Sequence, residues 1–411
     1  MKTLAGVQTG HRARPERLPG ATSSQREATA RRILAAAWDG EPRTASELMD
    51  RTALTRATVL SVCKELVTAG WLTEEDDARK AGSYARGRPA LRYRFAPASR
   101  LVVGVDAGQH SFKAHVATLQ GRVLGRARRP QDPAADGPAR RAELATVVDE
   151  ALSDAAVSAE RIAGVVIGAP APVDLDGHSP SDAAENFWPR MNPDFVTVFA
   201  ERDWSVIVDN DANLAALAEA GSGDAVNAYA TLLSGERFGV GIVVDGRLLR
   251  GSRGGVGEMR VLDMVSGVGD PHGLAHWARQ EIQAAAERGL LEESALGNLE
   301  RDQIEAHHVF AAARCGDALA LQVVDALGER LAPVVMLLSG LLDLDRIIIA
   351  GAVAESIEPV LQRARQIMAH DVTMSHAELV ASTWGNGVVL QGAVEAAIAM
   401  VRSGPLGTAA S

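Results

Sequence analysis

The sequence predicts an α/β protein in two parts, a small helical head followed by a large body of alternating strands and helices. Charge supports this division, because residues 1–100 hold 18 of the 42 Lys and Arg but only 11 of the 52 Asp and Glu. Patterning supports it too, since helical apolar spacing gives way near residue 100 to short apolar strands. A basic head indicates a polyanionic partner, and the alternative is a basic tail before a neutral domain.

Composition excludes several classes of protein. Only two cysteines occur in 411 residues, which excludes a disulfide framework and a Cys-rich zinc cluster and fits a reducing cytosol. The first 20 residues have no apolar core of signal-peptide length, and no run reaches the roughly 18 apolar residues of a membrane helix. We therefore expect a cytoplasmic protein without membrane contact. An aromatic content of 4% argues against a stacking platform for single-stranded nucleic acid.

The head is expected to begin with a disordered basic tail at residues 1–24 and to fold over residues 25–97. Ser or Thr and Glu at capping-box spacing open two of its helices. The three predicted helices run from Ser24 to Gly40, from Thr44 to Thr52 and from Thr55 to Gly70. Two strands follow at 71–73 and 90–95, joined by a polar tip. This order predicts a winged helix-turn-helix, a fold that binds DNA.

The predicted DNA-binding residues lie on two features of the head. The third helix presents hydroxyls and cations opposite its apolar stripe, where a recognition helix meets base edges and phosphates. These residues are Thr55, Arg56, Ala57, Thr58, Ser61 and Lys64. The base of the wing carries Arg86, Gly87 and Arg88, and two arginines on an extended backbone suit a narrow minor groove. The alternative is that these side chains are ordinary solvated surface.

The body is predicted from apolar runs that end in polar or glycine-rich segments. Strands are predicted at 101–105, 112–116, 121–124, 162–167, 206–208, 230–234 and 346–349. Helices are predicted at 142–155, from 211 to about 220, and at 388–397. Asp245-Gly246 is a hairpin-turn sequence. Strands that alternate with helices predict an α/β architecture.

A set of short motifs extends through the body. They read VDAG at 105–108, IGAPAPVD at 167–174, DNDANLAAL at 209–217, DGRLLRGSRGGVGE at 245–258, IIIAGAV at 347–353 and VVLQGAVEAA at 388–397. As a set they resemble the ROK family (repressors, open reading frames, kinases), and with the winged helix in front the chain resembles that family's transcriptional regulators. The resemblance implies a two-lobed, RNase H-like domain of the sugar kinase, hsp70 and actin type. It divides the body into one lobe at 98–212 plus 388–403, a second at 213–387, and a flexible tail at 404–411.

Two glycine-rich loops of the family's kinases are altered in this chain. Where the kinases carry Asp-x-Gly-Gly-Thr-Lys, residues 106–111 read DAGQHS, and where they carry Gly-Thr-Gly-x-Gly-x-Gly, residues 235–241 read GERFGVG. Glu236 would repel a phosphate, and Arg237 would fill the space that close backbone approach needs. Asp211 matches the family's catalytic base but is vestigial without phosphate positioning. We therefore predict a protein that is not an enzyme, with an active sugar kinase as the alternative.

The resemblance also implies a ligand site for sugar hydroxyls. The matching positions are Asn210, Asp211 and Glu258. Two further family positions hold Val261 and Ala275, so the hydrogen-bonding set is reduced and the selectivity altered. The alternative for the first two residues is that they only cap the following helix. The family's zinc site requires cysteines that residues 264–278 lack, so neither a metal nor any other cofactor is predicted.

Together these features predict a sequence-specific transcriptional regulator of sugar or carbon metabolism genes. Each subunit of a homodimer or tetramer would bind one half-site of a pseudo-palindromic operator in double-stranded DNA. A sugar or sugar phosphate in the cleft would modulate operator binding, with repression as the direction that the resemblance implies and activation as the alternative. A further alternative is a ligand-independent regulator whose body serves only for dimerisation.

Overall fold

The computed structural model describes residues 21–76, 91–98, 100–181, 187–221, 226–370 and 377–404. The chain forms two compact units, one comprising Met1–Ser99 and Val401–Ser411 and the other Arg100–Met400. Within the described ranges, no helix combines the length and apolar character that crossing a membrane requires. Several predicted features lie outside those ranges, namely most of both tails, the wing tip, and the wing residues Arg86, Gly87 and Arg88.

The first unit contains three helices and three short strands. In chain order they are α1 (Ala21–Ala37), β1 (Arg43–Thr44), α2 (Ala45–Thr52), α3 (Arg56–Thr68), β2 (Leu72–Asp76) and β3 (Leu91–Phe95). The strands form one antiparallel sheet in the order β1-β3-β2. Apolar side chains of the helices, among them Ile33, Leu48 and Leu66, are buried in this unit together with Trp71 and Phe95.

Local sequence signals set the ends of these helices. Thr44 and Glu47 form the predicted capping box, in which each side chain accepts a hydrogen bond from the other residue's backbone N–H. Ala53 then takes a left-handed backbone at φ 51°, and Thr55 caps α3 by accepting the N–H of Thr58. These ends follow the sequence closely because a capping side chain acts on backbone groups within one turn of itself.

Three features of the first unit differ from the sequence prediction. The first helix begins at Ala21, so Ser24 lies inside it, because the Gln, Arg, Glu and Ala that follow favour a helix and Ser costs it little. The first of the two strands predicted after the third helix begins at Leu72, since Trp71 is a buried turn residue whose N–H bonds the carbonyl of Leu66. No sequence signal predicts β1, because two residues are too few for a periodicity.

The second unit is built on two five-stranded sheets. The strands are β4 (Leu101–Ala107), β5 (Ser111–Thr118), β6 (Val123–Pro130), β7 (Ile162–Ala169), β8 (Ser205–Asn210), β9 (Tyr229–Ser234), β10 (Phe238–Val244), β11 (Arg247–Leu248), β12 (Arg346–Ala350) and β13 (Glu378–Ala381). The helices are α4 (Gly137–Asp154), α5 (Phe187–Met191), α6 (Asp211–Glu219), α7 (Leu274–Glu287), α8 (Ala306–Arg314), α9 (Ala318–Leu342), α10 (Glu358–Met368) and α11 (Val388–Ser403), the last extending past this unit. The sheet orders are β6-β5-β4-β7-β8 and β11-β10-β9-β12-β13.

The first sheet brings three chain segments to one edge. β4, β7 and β8 run parallel, so their carboxyl ends meet at the same side of the sheet. β4 and β7 are buried along nearly their whole length, as continuous apolar strands inside an α/β unit are expected to be. The shared edge therefore brings together Asp106, the loop that follows Ala169, and Asn210.

The edge strand β6 is longer than the predicted run at 121–124. It pairs with β5 from Val123 to Pro130, and Arg126 and Arg128 on its outer side are exposed. Edge strands carry charged residues, which mask the apolar alternation that a sequence reading depends on. The second sheet contains the predicted hairpin turn, in which Asp245 and Gly246 have φ of 52° and 68°, as a type I′ turn requires.

Helix α6 begins at the shared edge and is packed tightly on two sides. A Cβ on Gly241 of β10 would lie 2.1 Å from the carbonyl oxygen of Ala212. A Cβ on Gly392 of α11 would lie 1.8 Å from the carbonyl oxygen of Leu214. Both positions require glycine because backbone approaches backbone there. The start of α6 is therefore held in place from both sides.

Candidate functional sites

One surface of α3 carries most of the residues predicted to contact DNA. Arg56, Ala57, Ser61 and Lys64 are exposed there, and Leu60 is 40% exposed between them. These five residues are called the α3 face below. Within the described part of the chain, neither the guanidinium of Arg56 nor the ammonium of Lys64 has a hydrogen-bond or ion-pair partner. The α3 face is therefore a cationic surface directed at solvent.

The predicted residues Thr55 and Thr58 form hydrogen bonds with each other at the start of α3. Thr55 Oγ1 accepts the N–H of Thr58 at 3.3 Å and lies 2.8 Å from Thr58 Oγ1. These contacts fix the first turn of the helix and so the direction of Arg56 and Ala57. A helix N-terminus also carries partial positive charge, which favours a phosphate close to it.

An ion pair neutralises the acidic residue beside the α3 face. Arg26 of α1 bonds both carboxylate oxygens of Glu65 on α3, and its Nη2 lies 3.4 Å from Ser61 Oγ. The pairing lowers the pKa of Glu65. Sequence reasoning misses both Arg26 and Leu60, although the spacing of Leu60 four residues after Arg56 places it on the same side of the helix.

A cleft of about 220 Å³ lies in the second unit, at the carboxyl edge of the first sheet. The three predicted ligand residues, Asn210, Asp211 and Glu258, all line this cleft. Other lining residues come from the two altered loops, from α5 and from the segment after Glu258, and they include Gly108, His110, Phe187, Trp188, Glu236, Arg237 and Arg260. The fold thus gathers separate segments of the sequence around one cavity.

Asn210 has the capping role that sequence analysis left as an alternative. Its Oδ1 accepts the N–H groups of Ala212 at 2.9 Å and Asn213 at 3.2 Å, and its Nδ2 donates to the carbonyl of Ala171 at 3.0 Å. Because an amide carries two N–H donors, these bonds do not exhaust the side chain. Asn210 therefore orders the start of α6 and also lines the cleft.

Two neighbouring carboxyl groups act on Asp211 at the cleft. Burial, together with the neighbouring carboxyls of Asp106 and Glu258, raises the pKa of Asp211 to about 8. Burial also raises the pKa of Asp106 and the pKa of Glu258. Crowded carboxyls hold protons because like charges repel in a poorly solvated site. Asp211 is therefore largely protonated at neutral pH and can donate as well as accept a hydrogen bond.

Lys113 supplies the counter-charge of Asp106. The two residues face each other across the β4–β5 pair, and Lys113 Nζ lies 3.1 Å from Asp106 Oδ2. The same Nζ donates to the carbonyl oxygen and to Oδ1 of Asn386, each at 3.0 Å. Three acceptors match the three N–H groups of an ammonium. The carboxylate that opens the first altered loop is thus neutralised by the protein's own side chain.

The second altered loop is held by an ion pair and by packing. Arg279 of α7 pairs with the Glu236 carboxylate, and His276 Nδ1 lies 3.8 Å from it. Gly239 matches a glycine of the family's phosphate loop, but here a Cβ would lie 3.1 Å from the Cβ of Ala212. Gly239 and Gly241 of this loop are therefore explained by packing against α6.

Two arginines reach the cleft over aromatic rings. The guanidinium carbon of Arg237 lies 5.2 Å from the centre of the Phe187 ring, and that of Arg260 lies 4.6 Å from the Trp188 ring. Both guanidinium groups lower the pKa of Glu258, against the larger effect of its burial. The sequence analysis assigns Arg237 only a space-filling role, and it assigns no role to Arg260. The Phe187-Trp188 pair, in a chain with 4% aromatic residues, is the signal that could have marked this wall.

The described residues contain no group of three or more His, Cys, Asp or Glu arranged to hold a metal ion. His272 precedes α7, which begins at Leu274, and its ring stacks on the ring of His276 with centres 4.0 Å apart. Asp270 Oδ1 bonds both His272 Nδ1 and Trp277 Nε1. The histidine pair belongs to a packed, hydrogen-bonded corner.

Two sheets with a cleft at the carboxyl edge of one of them form an α/β fold of the sugar-kinase type. Residues 102–400 match the model of the ROK family. The chain therefore belongs to the ROK family, which contains both kinases and transcriptional regulators.

Relatives of both kinds are similar to this chain. A glucokinase of Halalkalibacterium halodurans is 30% identical over 281 residues, covering 65% of this chain and 84% of the glucokinase. The xylose repressor of Caldicellulosiruptor bescii is 22% identical over 335 residues, covering 79% of this chain and 82% of the repressor. The crystal structure of a ROK family transcriptional regulator, a homolog of the E. coli MLC protein, aligns with a TM-score of 0.69 at 21% identity, covering 92% of this chain and 99% of that one. Glucokinases and other sugar kinases are the more numerous among the named relatives, which points toward enzyme activity.

Proposed function

We propose that this protein is a sequence-specific, DNA-binding transcriptional regulator. In this proposal the first unit is a winged helix-turn-helix, with α2 and α3 as the two helices of the motif and β2 and β3 as the wing. A homodimer inserts two copies of α3 into the major groove of a pseudo-palindromic operator. The observation that carries the proposal is the α3 face, where cations without partners among the described residues follow a capped helix start.

The chemistry of the α3 face suits a DNA duplex. Arg56, in the first turn of α3, suits bidentate hydrogen bonding to a guanine edge. Lys64, two turns further on, suits a phosphate, and Ala57 with Leu60 suits the methyl group of thymine. The Arg26–Glu65 pair removes the acidic charge that would repel the DNA backbone at this surface. Each feature supports the same partner.

The extent of the structural likenesses also supports the proposal. The glucokinase of Halalkalibacterium halodurans matches 65% of this chain, and the family model begins only at residue 102. The regulator structure covers 92% of this chain, so its fold extends over much of the first unit as well. A kinase has no need of that additional unit, whereas a regulator requires a DNA-binding part.

Operator binding in this proposal responds to a sugar or sugar phosphate in the cleft, and repression is relieved when it binds. Such a ligand can act only if it prefers one of two arrangements of the protein. The cleft is not proposed to perform phosphoryl transfer. Lys113 already neutralises Asp106, and the loops at 106–111 and 235–241 have lost two of the glycines and both of the threonines that position a phosphate in the family's kinases.

The test is genomic immunoprecipitation of the tagged full-length protein, followed by gel shifts on the recovered sites across a salt series. We expect discrete palindromic sites near sugar-uptake or catabolic genes. For a dimer that neutralises about six phosphates, affinity should fall roughly 10³-fold between 50 and 200 mM salt. Recovery of no discrete sites, combined with salt-insensitive or absent duplex binding by the pure protein, would overturn the proposal.

A second candidate function is a sugar kinase with a fused DNA-binding unit. Asp211 favours it, because burial raises its pKa to about 8, which suits a general base near neutral pH. The numerous kinase relatives favour it as well. ADP production from MgATP with a panel of hexoses tests it, with Asp211→Asn as the matched variant. Turnover that the variant abolishes would establish the kinase and refute the regulatory role proposed for the cleft.

A third candidate is a regulator that binds no effector, with the second unit serving for dimerisation. The apolar Val261 and Ala275 at two positions of the family's sugar site favour it. Thermal unfolding with a panel of sugars separates the two regulators. A ligand at 100 times its Kd stabilises the folded state by about 2.7 kcal/mol. Unfolding temperatures unchanged by every sugar and sugar phosphate, together with intact operator binding, would select the ligand-independent regulator.

A further inference from the structure

We propose that a small inorganic anion of the size of chloride binds in the second unit, between the guanidinium groups of Arg140 on α4 and Arg190 on α5. This inference goes beyond the proposed function and holds equally for a regulator and for a kinase. The anion site is separate from the cleft, because the described lining of the cleft includes neither arginine. It is inferred from a buried positive charge for which the described residues supply no counter-charge.

Arg140 is completely buried, although arginine is almost never fully buried unless it is paired. Its Nη2 donates to the backbone carbonyl oxygens of Ala107 at 2.9 Å, Gly108 at 3.2 Å and Met191 at 3.4 Å. Its Nε and Nη1 are buried as well, and neither has a hydrogen-bond partner among the described residues. Buried donors of this kind are rare in folded proteins, so a partner from solution is expected beside them.

A second guanidinium group lies close to Arg140. Arg190 directly precedes Met191, whose carbonyl oxygen accepts a hydrogen bond from Arg140. The Nε of Arg190 is likewise buried and has no hydrogen-bond partner in the described part of the chain. Burial and, after it, the charge of Arg190 lower the pKa of Arg140 to about 10, so Arg140 still carries its charge at neutral pH. Two like charges repel in a poorly solvated environment, and an anion between them removes that repulsion.

No carboxylate of the described residues compensates for the charge of Arg140. Among the described side chains, only Arg190 acts through its charge on the pKa of Arg140, and it lowers it. The acidic residues nearest to Arg140 in the chain have other partners. Asp136 caps the start of α4, and Glu143 pairs with Arg129. A buried cation without a counter-charge is costly, so the fold favours an anion taken up from solution.

The surroundings of Arg140 select a small anion. Its guanidinium carbon lies 4.7 Å from the centre of the Phe112 ring and 5.9 Å from the centre of the Phe195 ring. Both aromatic side chains are completely buried, so they exclude solvent from this part of the unit. A charged group that belongs to a larger molecule therefore has no access to the free N–H groups. A halide ion suits the site because it is compact and accepts hydrogen bonds from any direction.

The anion connects two helices that lie beside the cleft. α4 contributes Arg140, which also bonds the carbonyl oxygen of Gly108 in the cleft wall. α5 contributes Arg190 and carries Phe187 and Trp188, which line the cleft. Binding of the anion is therefore expected to stabilise the packing of α5 against α4, and with it one wall of the cleft.

Thermal unfolding of the full-length protein at constant ionic strength tests this proposal. Sodium chloride replaces sodium gluconate stepwise, because gluconate is too large for the site, and sodium bromide and sodium fluoride are used in parallel. We expect chloride and bromide to raise the Tm saturably, by about 3 °C or more at a hundredfold excess over Kd. Fluoride should raise it much less, because it holds its water more strongly. Absence of a saturable rise, or an equal rise with fluoride, would overturn the proposal.

Matched variants place the anion. Arg140→Met removes the buried charge and keeps a long apolar side chain, so the Tm of this variant should not depend on chloride. Arg190→Gln should raise the chloride concentration for the half-maximal effect by about tenfold or more, because a charged hydrogen-bond donor is lost. Arg141→Gln is the control, since Arg141 is the next residue on α4 but donates to the carbonyl oxygen of Asp194 and to Thr197. Its response to chloride should equal that of the wild type.

A wild-type chloride response in Arg190→Gln would refute the assignment even if Arg140→Met does not fold. Diffraction from crystals of the full-length protein grown in bromide locates the ion, because bromide scatters anomalously. We expect an anomalous peak within hydrogen-bonding distance of Arg140 Nε or Nη1 and of Arg190 Nε. A water molecule there, without an anomalous peak, would refute the anion. These measurements use neither DNA nor sugar, so their failure and the failure of the proposed function are distinguishable.

Discussion

Two cations of the α3 face differ from two cations beside the cleft in what neutralises them. Arg56 and Lys64 are exposed and have no partner among the described residues, whereas Lys113 and Arg279 contact carboxylates of the same chain. A cation without an internal partner remains available to an external polyanion, whereas a pair as little exposed as Lys113–Asp106, at 14% for each side chain, contributes to holding the structure together. The difference indicates that charge alone does not mark a binding surface, because the partner of each charge decides its role.

The largest expected effect is the loss of DNA affinity when a cation of the α3 face is removed. Arg56→Ala should weaken operator binding by about 1–3 kcal/mol, roughly 5- to 150-fold, because a guanine loses a bidentate contact. Lys64→Ala should weaken all duplexes alike and reduce the salt slope by about one. Gel shifts on operator and on mutated sites measure both. Arg247→Ala is the control with the same charge change, and an equal loss of affinity in that variant would contradict the assignment of the α3 face.

The second prediction concerns the ion pair between Lys113 and Asp106 beside the cleft. Lys113→Ala leaves Asp106 without its counter-charge and should destabilise the protein by about 2 kcal/mol, less than a fully buried pair because the cleft is partly solvated. Calorimetry should show a fall of roughly 3–6 °C in Tm. The loss should diminish as the pH falls, since burial raises the pKa of Asp106 and the unpaired carboxyl takes up a proton in acid. Adding Asp106→Asn should restore most of the loss, and no restoration would contradict the pairing.

The third prediction concerns the pH dependence of the cleft. Because the pKa of Asp211 is raised from 3.8 to about 8, the folded state keeps a proton between about pH 4 and 8 that the unfolded chain releases. The contribution of Asp211 to stability therefore falls as pH rises through that window. Asp211→Asn should flatten the decline and be more stable than the wild type at pH 8 by about 1–2 kcal/mol. Unfolding midpoints from pH 5 to 8 measure this, and Asp245→Asn on the hairpin turn should keep the wild-type slope.

The smallest expected effect is a loss of stability in the first unit. Thr44→Ala removes one half of the capping box of α2 and should destabilise the first unit by about 1 kcal/mol. Thr44→Ser, which keeps the hydroxyl, should lose much less. Urea unfolding followed by tryptophan fluorescence measures the change. Sugar binding in the cleft should be unaffected, and a matching loss there would show that the cap acts on more than its own helix.

Much of the fold could be predicted where a signal acts on its own neighbours. The capping box at Thr44, the cap at Thr55 and the Asp245-Gly246 turn are such cases, because each depends on backbone groups within a few residues. The predictions were weaker where an element depends on what surrounds it. β6 and β1 exist because neighbouring strands pair with them, and their sequences carry no apolar alternation.

In the candidate site, the residues that stand in sequence motifs were predictable and the others were not. Asn210, Asp211 and Glu258 stand in motifs, and all three line the cleft. Arg260 and Trp188 stand in no motif, and their contact joins residues far apart in the chain. The capping role of Asn210 was foreseen as an alternative, because an Asn directly before an apolar helical segment is a local signal.

Residue order alone is enough to predict the division into a basic head and an acidic body, the capped helices, the strand-rich second part and the ROK motifs. Which charges meet depends on how distant segments pack. The β4–β5 register sets Lys113 opposite Asp106, and the packing of 257–260 against β10 brings Arg260 to the cleft. Propensities and caps act over a distance of about one helical turn, so they can be read from neighbouring residues. A counter-charge is assigned only when distant segments pack and water is excluded between them.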